Sequence, residues 1–389
     1  MVIDTSALSP RAAHAPESGI VAVVNHGRLR EGLIPLWAGE GDLPTPAFIC
    51  EAATRALQGG ETFYTWQRGI PELRAALAAY YRRLYGCAFS PETVFVTGSG
   101  MQAIQLAIDT VASPGDEILY FSPAWPNFAA AAGVSGVLPK PVRLDHREAG
   151  WSPDLDRLAA AIGPKTRAIF VNTPSNPTGW TASRDDLSQI LALARWHGLW
   201  IIADEIYARF HYSGGRAPSF LDVREEDDRI IFVNSFSKNW SMTGWRVGWI
   251  VAPAELGQVF ENLIQYSTSG VAPFLQRGAV AALEEGEHVV EENIARATKA
   301  RAVLCDALVS TNRVTLTKPE GAFYAFFRID GVTDTMNVAK DIVDRANVGL
   351  APGSAFGVGG EAFFRACFLR RLDHVEEAAA RLADYIVRI

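Results

Sequence analysis

The sequence holds little that could staple it together or bind a metal. Four cysteines in 389 residues (Cys50, Cys87, Cys305, Cys367) lie far apart with no C-x-x-C, which suits neither a disulfide framework nor a zinc site. Seven histidines are equally scattered and form no H-E-x-x-H, so no metal is expected. No apolar run approaches the roughly 18 residues of a membrane span; Leu199–Ala203 is broken at once by Asp204 and Glu205. The N-terminus (MVIDTSALSPRAAHAPESG) lacks the apolar stretch of a secretory signal. These absences predict a soluble, cytoplasmic protein. Charge of one sign is also scarce: 36 lysines and arginines against 43 aspartates and glutamates leave −7, without long blocks. Such a surface argues against nucleic acid as a partner but leaves open a phosphate held in one local pocket. Two catalytic signatures are missing as well. Without G-x-x-x-x-G-K-[ST], NTP hydrolysis is disfavoured, and without G-x-S-x-G a hydrolase is.

What is present is a large core. Hydrophobic residues make up 49% and charged residues 20%, which excludes disorder, collagen-like repeats and coiled coils. The length suits two or three domains, or one large α/β unit with a smaller one attached. From about residue 90 to 250, short apolar runs alternate with helical patterns: Thr93–Thr97, Glu117–Phe121, Arg167–Asn172, Leu199–Ala203 and Arg229–Ser235, with helices over Met101–Val111 and Ser183–His197. Continuous apolar strands separated by helices predict an α/β fold, a mostly parallel sheet of the seven-stranded type sandwiched by helices. Beyond 255 the pattern changes to one long helical stretch, Gln276–Ser310, then a hairpin around Glu320–Gly321, a helix near 336–346 and a strand at 365–369. The expected division is a large domain over 46–285 and a smaller α+β domain built from 1–45 and 286–389.

Four segments could carry chemistry. Gly98-Ser99-Gly100-Met101-Gln102-Ala103 joins a strand to a helix. It could hold a dinucleotide pyrophosphate, a single phosphate at the helix N-terminus, or nothing. The dinucleotide reading needs an acid at the end of the next strand, whereas Asp116 and Glu117 stand at its start. Asp204-Glu205-x-Tyr207 follows an apolar strand, where ligands gather in parallel sheets; an acidic helix cap is the plain alternative. Ser235-Phe236-Ser237-Lys238, with Arg246 after it, puts a lysine beside apolar groups that would lower its pKa and set two hydroxyls and a guanidinium near one another. Asn172–Gly179 reads as an ordered turn with a cis bond expected at Asn176–Pro177 and Asn176 as a donor to a ring oxygen. Together these supply what pyridoxal 5′-phosphate requires: a Schiff-base lysine, an acid for the pyridine nitrogen, donors to the ring hydroxyl and a phosphate anchor.

In these segments the sequence resembles the class I/II aminotransferases of fold type I, the aspartate aminotransferase family, from about Leu36 to Arg365. Leu36–Asp42 (LWAGEGD) is similar to the family's L-x-x-G-E-P-D, with Gly41 in place of proline. Tyr64 to Arg74, Asn176-Pro-Thr-Gly, Asp204-x-x-Tyr207, Ser235-x-x-Lys238, Pro319–Tyr324 and Pro352–Gly357 also match in order. The resemblance implies ping-pong transfer of an amino group from an L-amino acid to a 2-oxo acid. Lys238 would form the Schiff base and then shuttle the proton, Asp204 would keep the ring nitrogen protonated, and Tyr207 and Asn176 would bond the ring hydroxyl. Trp125 would stack on the ring, and Ser99, Gly100, Met101, Ser235, Ser237 and Arg246 would surround the phosphate. Arg365, with Asn176 and the Gly39 backbone, would grip the substrate carboxylate. Tyr64 would reach the neighbouring site of a homodimer.

Related prokaryotic enzymes carry a lysine for a distal carboxylate where this chain has Met101, and no arginine stands at 265–269. An unpaired acid in an apolar pocket is costly, so a neutral or apolar donor is expected over aspartate. Arg28 is an extra cation with no assigned place. Rival readings are a C–S β-lyase of the same fold, a nicotinamide-dependent dehydrogenase, and a DNA-binding regulator. The last needs an added N-terminal domain, while the resemblance starts near residue 36.

Overall fold

The structure, a computed structural model, describes residues 8–13 and 15–389. Its centre is a seven-stranded sheet: β1 Val94–Thr97, β2 Glu117–Ser122, β3 Leu138–Arg143, β4 Thr166–Asn172, β5 Trp200–Asp204, β6 Ile230–Ser235 and β7 Gly248–Val251, in spatial order β1-β7-β6-β5-β4-β2-β3. All pairings are parallel except those of β7, which runs antiparallel between β1 and β6. Alternate residues of one strand feed opposite faces. On β4, Ala168 and Phe170 enter one apolar cluster while Ile169 and Val171 enter the other. Both faces are therefore buried, which is why these strands read as unbroken apolar runs.

Two strands escape the sequence pattern. Strand β3 (LPKPVR) carries two prolines, tolerated because it is the outer edge where missing donors cost little. Strand β7 (GWIV), four residues long, is the other. The long helical stretch expected from Gln276 is in fact two helices, Pro273–Glu285 and Glu287–Ser310. Gly286 separates them; a Cβ there would press on the Ala282 carbonyl and come within 2.8 Å of Trp240.

The C-terminal part forms a second, antiparallel sheet: β8 Val314–Leu316, β9 Tyr324–Ile329, β10 Ala351–Pro352 and β11 Phe364–Cys367, in order β8-β9-β11-β10. Helix Glu287–Ser310 packs on its first two strands, and helix Leu372–Arg388 packs in turn on that helix, burying Val375, Ala378, Ala379, Leu382, Tyr385 and Ile386, spacings that make one apolar stripe. The N-terminal segment joins this part: Ile34–Pro35 pairs in parallel with Val348–Gly349, and helix Gly19–Gly27 lies against helix Thr335–Ala346. No helix among the described residues is long and apolar enough to cross a membrane.

Candidate active site

A cavity of about 380 Å³ opens where the carboxyl ends of the large sheet face the small one. Its floor begins with the turn after β1. The Ser99 hydroxyl accepts from the Gln102 N–H at 3.0 Å, starting helix Gly100–Val111 and leaving the first-turn N–H groups outside the helical ladder. Gly100 and Met101 line the cavity. The turn fits because Gly248 of β7 has no side chain: a Cβ there would lie 2.6 Å from the Ser99 carbonyl carbon and 2.7 Å from the Gly100 nitrogen. Trp125, after β2, forms part of the wall.

The next two strand ends bring the acid and the hydrogen-bonding groups. Asp204 closes β5, and among the described residues its carboxylate accepts only a long bond from the Ile206 N–H, at 3.3 Å. Burial pushes its pKa up to about 7, against that N–H and the Lys238 charge. A turn rather than a helix follows, so Asp204 is not a helix cap. Glu205 is also pushed up to about 7 by burial, but it is absent from the cavity wall and is held by the Ser219 hydroxyl at 2.7 Å and the Phe220 N–H at 3.1 Å. Tyr207 is buried, its phenol shifted upward by desolvation, and its hydroxyl lies 2.7 Å from that of Tyr324. Asn176 is positioned by its own N–H, which donates to Asn172 Oδ1 at 2.9 Å. The bond Asn176–Pro177 is cis, as are Thr173–Pro174 and Ser122–Pro123.

Lys238 stands in the turn after β6. Its Nζ donates to the Gly39 carbonyl at 2.7 Å and retains access to the cavity although protein surrounds it. Desolvation lowers its pKa to about 8; nearby Cys367 and Glu40 oppose this, while Arg365 and Arg246 reinforce it. A usable fraction of free amine thus exists near neutrality. Ser235 and Ser237 line the same wall, the Ser235 hydroxyl accepting from the Ser237 N–H at 3.2 Å. Arg246 borders the cavity with a left-handed backbone (φ 54°), its guanidinium donating to the Thr243 carbonyl at 2.7 Å.

The small sheet supplies the opposite wall. Arg365 is 2% exposed, donates to Asn176 Oδ1 at 3.1 Å and to the Trp37 carbonyl, and lies over the rings of Tyr324 and Phe356. Its Nε has no partner among the described residues. Tyr324 lines the cavity but carried no role in the sequence reading, because nothing local joins it to Tyr207, 117 positions away. Gly39 approaches so closely that a Cβ on it would lie 2.6 Å from the Tyr324 hydroxyl. Ile20 and Val21 of helix Gly19–Gly27 also line the cavity, and no motif pointed to them.

Two named residues lie elsewhere. Tyr64 is 94% exposed and outside its own chain's cavity. Arg28 is exposed, donates to Asn25 Oδ1 at 3.2 Å, and does not border the cavity, so it offers no acid-binding group there.

A fold of this topology with a lysine, an acid and an arginine converging on one cavity is that of an enzyme acting on small molecules. A sequence profile of the aminotransferase class I and II family matches residues 31–382. An aspartate aminotransferase of Thermotoga maritima is 34% identical over 92% of this chain and 92% of its own length. Aromatic-amino-acid aminotransferase 2 of Thermococcus litoralis is 34% identical over 97% of each chain. The solved structure of an alanine aminotransferase from Pyrococcus furiosus superposes with a TM-score of 0.91 at 30% identity, covering 98% of this chain and all of the other. The chain belongs to the class I and II aminotransferases.

The residues present fit pyridoxal phosphate. A buried carboxylate without a cationic hydrogen-bond partner faces the cavity, as a protonated ring nitrogen requires, and the amine of Lys238 shares that space. Gly248 leaves the turn at Gly100 free of a side chain that would fill the phosphate end.

Proposed function

We propose that this chain is a pyridoxal 5′-phosphate-dependent aminotransferase that passes the amino group of an L-amino acid to a 2-oxo acid, preferring neutral or apolar donors over aspartate. The observation carrying the donor preference is the charge of the cavity wall. Among the described residues its cations are Lys238, Arg246 and Arg365, and each would have a task at the cofactor or the α-carboxylate. None remains for a second carboxylate, while Ile20, Val21, Met101 and Ile104 are apolar. Burying an unpaired carboxylate among them would cost several kcal/mol, on the order of a hundredfold or more in affinity. The matched relatives act, by their names, on aspartate, aromatic amino acids and alanine, so family membership leaves the donor open.

Bound pyridoxal phosphate supplies an electron sink for the charge left when the donor loses its Cα proton. Everything else is work for the chain. Arg365 would hold the α-carboxylate with its fork, and Asn176, already bonded to that guanidinium, would fix its plane. Fixing the carboxylate orients the Cα–H bond for cleavage. Lys238, its pKa lowered to about 8, would take the proton from Cα and hold it for return during the transfer. Asp204 would hold the proton on the ring nitrogen, Tyr207 and Asn176 would bond the ring hydroxyl, and Trp125 would cover the ring. Ser99, Gly100, Met101, Ser235, Ser237 and Arg246 would hold the phosphate.

We assign 46–285 to the cofactor-binding domain and 1–45 with 286–389 to the smaller one. Exposed Tyr64 would complete the site of a second copy in a homodimer. The test is turnover of alanine, branched-chain, aromatic and acidic donors against a set of 2-oxo acids, with products identified. The expected products are an oxo acid and an aminated acceptor, with aspartate slowest. Aspartate as the fastest donor would overturn the preference, and ammonia with pyruvate would make the protein a lyase.

A further inference from the structure

Resting on the aminotransferase reading above, the geometry points to a second groove as the seat of the donor's side chain, and hence to long apolar amino donors. The cavity beside Lys238, about 380 Å³, is at the small end of ligand sites and would have to hold both the cofactor and the donor's α-carbon. Directly outside it lies a groove of about 800 Å³. The two share Ser18, Trp125 and Asn127 as walls, so the groove adjoins the cavity.

The outer groove is shaped for an elongated apolar chain. Its floor is one side of helix Pro126–Val134 (PNFAAAAGV), where Ala129, Ala130 and Gly133 present almost no side chain. A Cβ built on Gly133 meets no atom of the described residues within 4 Å. The facing wall is Met336, Ala355 and Phe356. Its charged groups, Arg11 and Glu17, are of opposite sign, so the groove as a whole favours no net charge. The N-terminal segment closes the side: Gly19 comes so near that a Cβ on it would lie 3.1 Å from the Ala355 Cβ. A side chain passing Trp125 therefore exchanges water for alanine, methionine and phenylalanine surface along its length.

Two measurements on the cofactor-loaded protein test this. The first is kcat/KM along the unbranched series alanine, 2-aminobutyrate, norvaline, norleucine and 2-aminooctanoate. It should rise by roughly threefold to fourfold per added methylene, the factor expected for burying each one. The second is calorimetric binding of propanoate, hexanoate and octanoate, which needs no turnover and should show the same trend. Gly133→Leu fills the groove at a helical position where leucine is favoured over glycine, and Ala130→Leu does so from the neighbouring turn. Each should remove the gain for 2-aminooctanoate and octanoate, tenfold or more, and leave alanine unchanged. A flat or falling series, or equal losses for alanine and 2-aminooctanoate in both variants, would overturn the inference while leaving aminotransfer intact. Failure of every donor, alanine included, would instead sink the aminotransferase reading itself.

Discussion

The two sheets contribute to the cavity in different ways. On the seven-stranded sheet the candidate groups of the parallel strands and of β1 sit at or just past a carboxyl end (Ser99 and Gly100 after β1, Trp125 after β2, Asn176 after β4, Asp204 at the end of β5, Lys238 after β6), while Arg246 precedes the antiparallel β7. On the four-stranded sheet the groups lie within strands. Arg365 faces Phe326 in the β9–β11 register and Tyr324 faces Cys367, so alternation puts all four on one side. Parallel strands deliver their ends to one crevice whatever the loops contain. An antiparallel pair instead fixes side chains rigidly against each other, which would suit a guanidinium proposed to orient a carboxylate. The large sheet would thus hold the cofactor, and the small one would position the substrate.

Two substitutions test that division most sharply. Lys238→Ala removes the proposed proton-transfer group and should lower kcat by about 10⁴-fold, with loss of the visible absorbance of the loaded enzyme. Activity above one hundredth of the parent's would remove Lys238 from that role. Arg365→Leu truncates a buried charge on the other sheet and should lower kcat/KM by roughly a hundredfold to a thousandfold for all donors. Its absorbance should remain that of the parent. If it loses cofactor instead, the two sheets do not divide the work this way.

The same contrast separates the groups that the sequence itself marks from those that only the fold brings together. Lys238, Asp204, Tyr207 and the turn at Ser99–Met101 each sit beside an apolar run or a glycine turn, and such signals are local. Strands β4, β5 and β6 were visible because burial on both faces makes them continuously apolar. Arg365 was legible only through family resemblance, since a strand of four residues carries no sign that its arginine is buried and turned inward. Tyr324, Trp37 and Ile20 were illegible as site residues because their partners lie far away in sequence, and register is a tertiary fact. Strand β3 hid behind its prolines, and the break at Gly286 behind helix-forming neighbours on either side.

Asp204 and Glu205 repeat the comparison between adjacent residues. Burial raises both to about 7, from ordinary values of 3.8 and 4.5. A carboxyl that holds its proton longer when folded stabilises the fold below its unfolded pKa and loses that contribution as pH rises through the folded one. For Glu205 the window is about pH 4.5 to 7, worth on the order of 3 kcal/mol. Melting of the cofactor-free protein should therefore fall from pH 5 to 7, and either Glu205→Gln or Asp204→Asn should flatten the fall. Pyridoxal phosphate should remove the part due to Asp204, whose carboxylate gains a cation, and leave the part due to Glu205. An unchanged slope in Glu205→Gln would show that this carboxyl is ionised at no cost.

The smallest expected effect concerns the place where the sheets meet. The Tyr324 hydroxyl, from β9, bonds that of Tyr207, from the turn after β5, at 2.7 Å, and it also fills the space beside Gly39. Tyr324→Phe should lower kcat/KM by only about threefold to tenfold, the range of one neutral hydrogen bond. Gly39→Ala should cost more, because the new Cβ would lie 2.6 Å from that hydroxyl. Combined, the two should not add. Without the oxygen, the nearest Tyr324 atom to the new methyl becomes Cζ at 3.5 Å, an ordinary contact. The double variant should then behave much like Tyr324→Phe alone, which a double-mutant cycle in kcat/KM and melting temperature would measure. Simple additivity would mean that Gly39 is required for its backbone, to accept from Lys238, and not for the room it leaves to Tyr324.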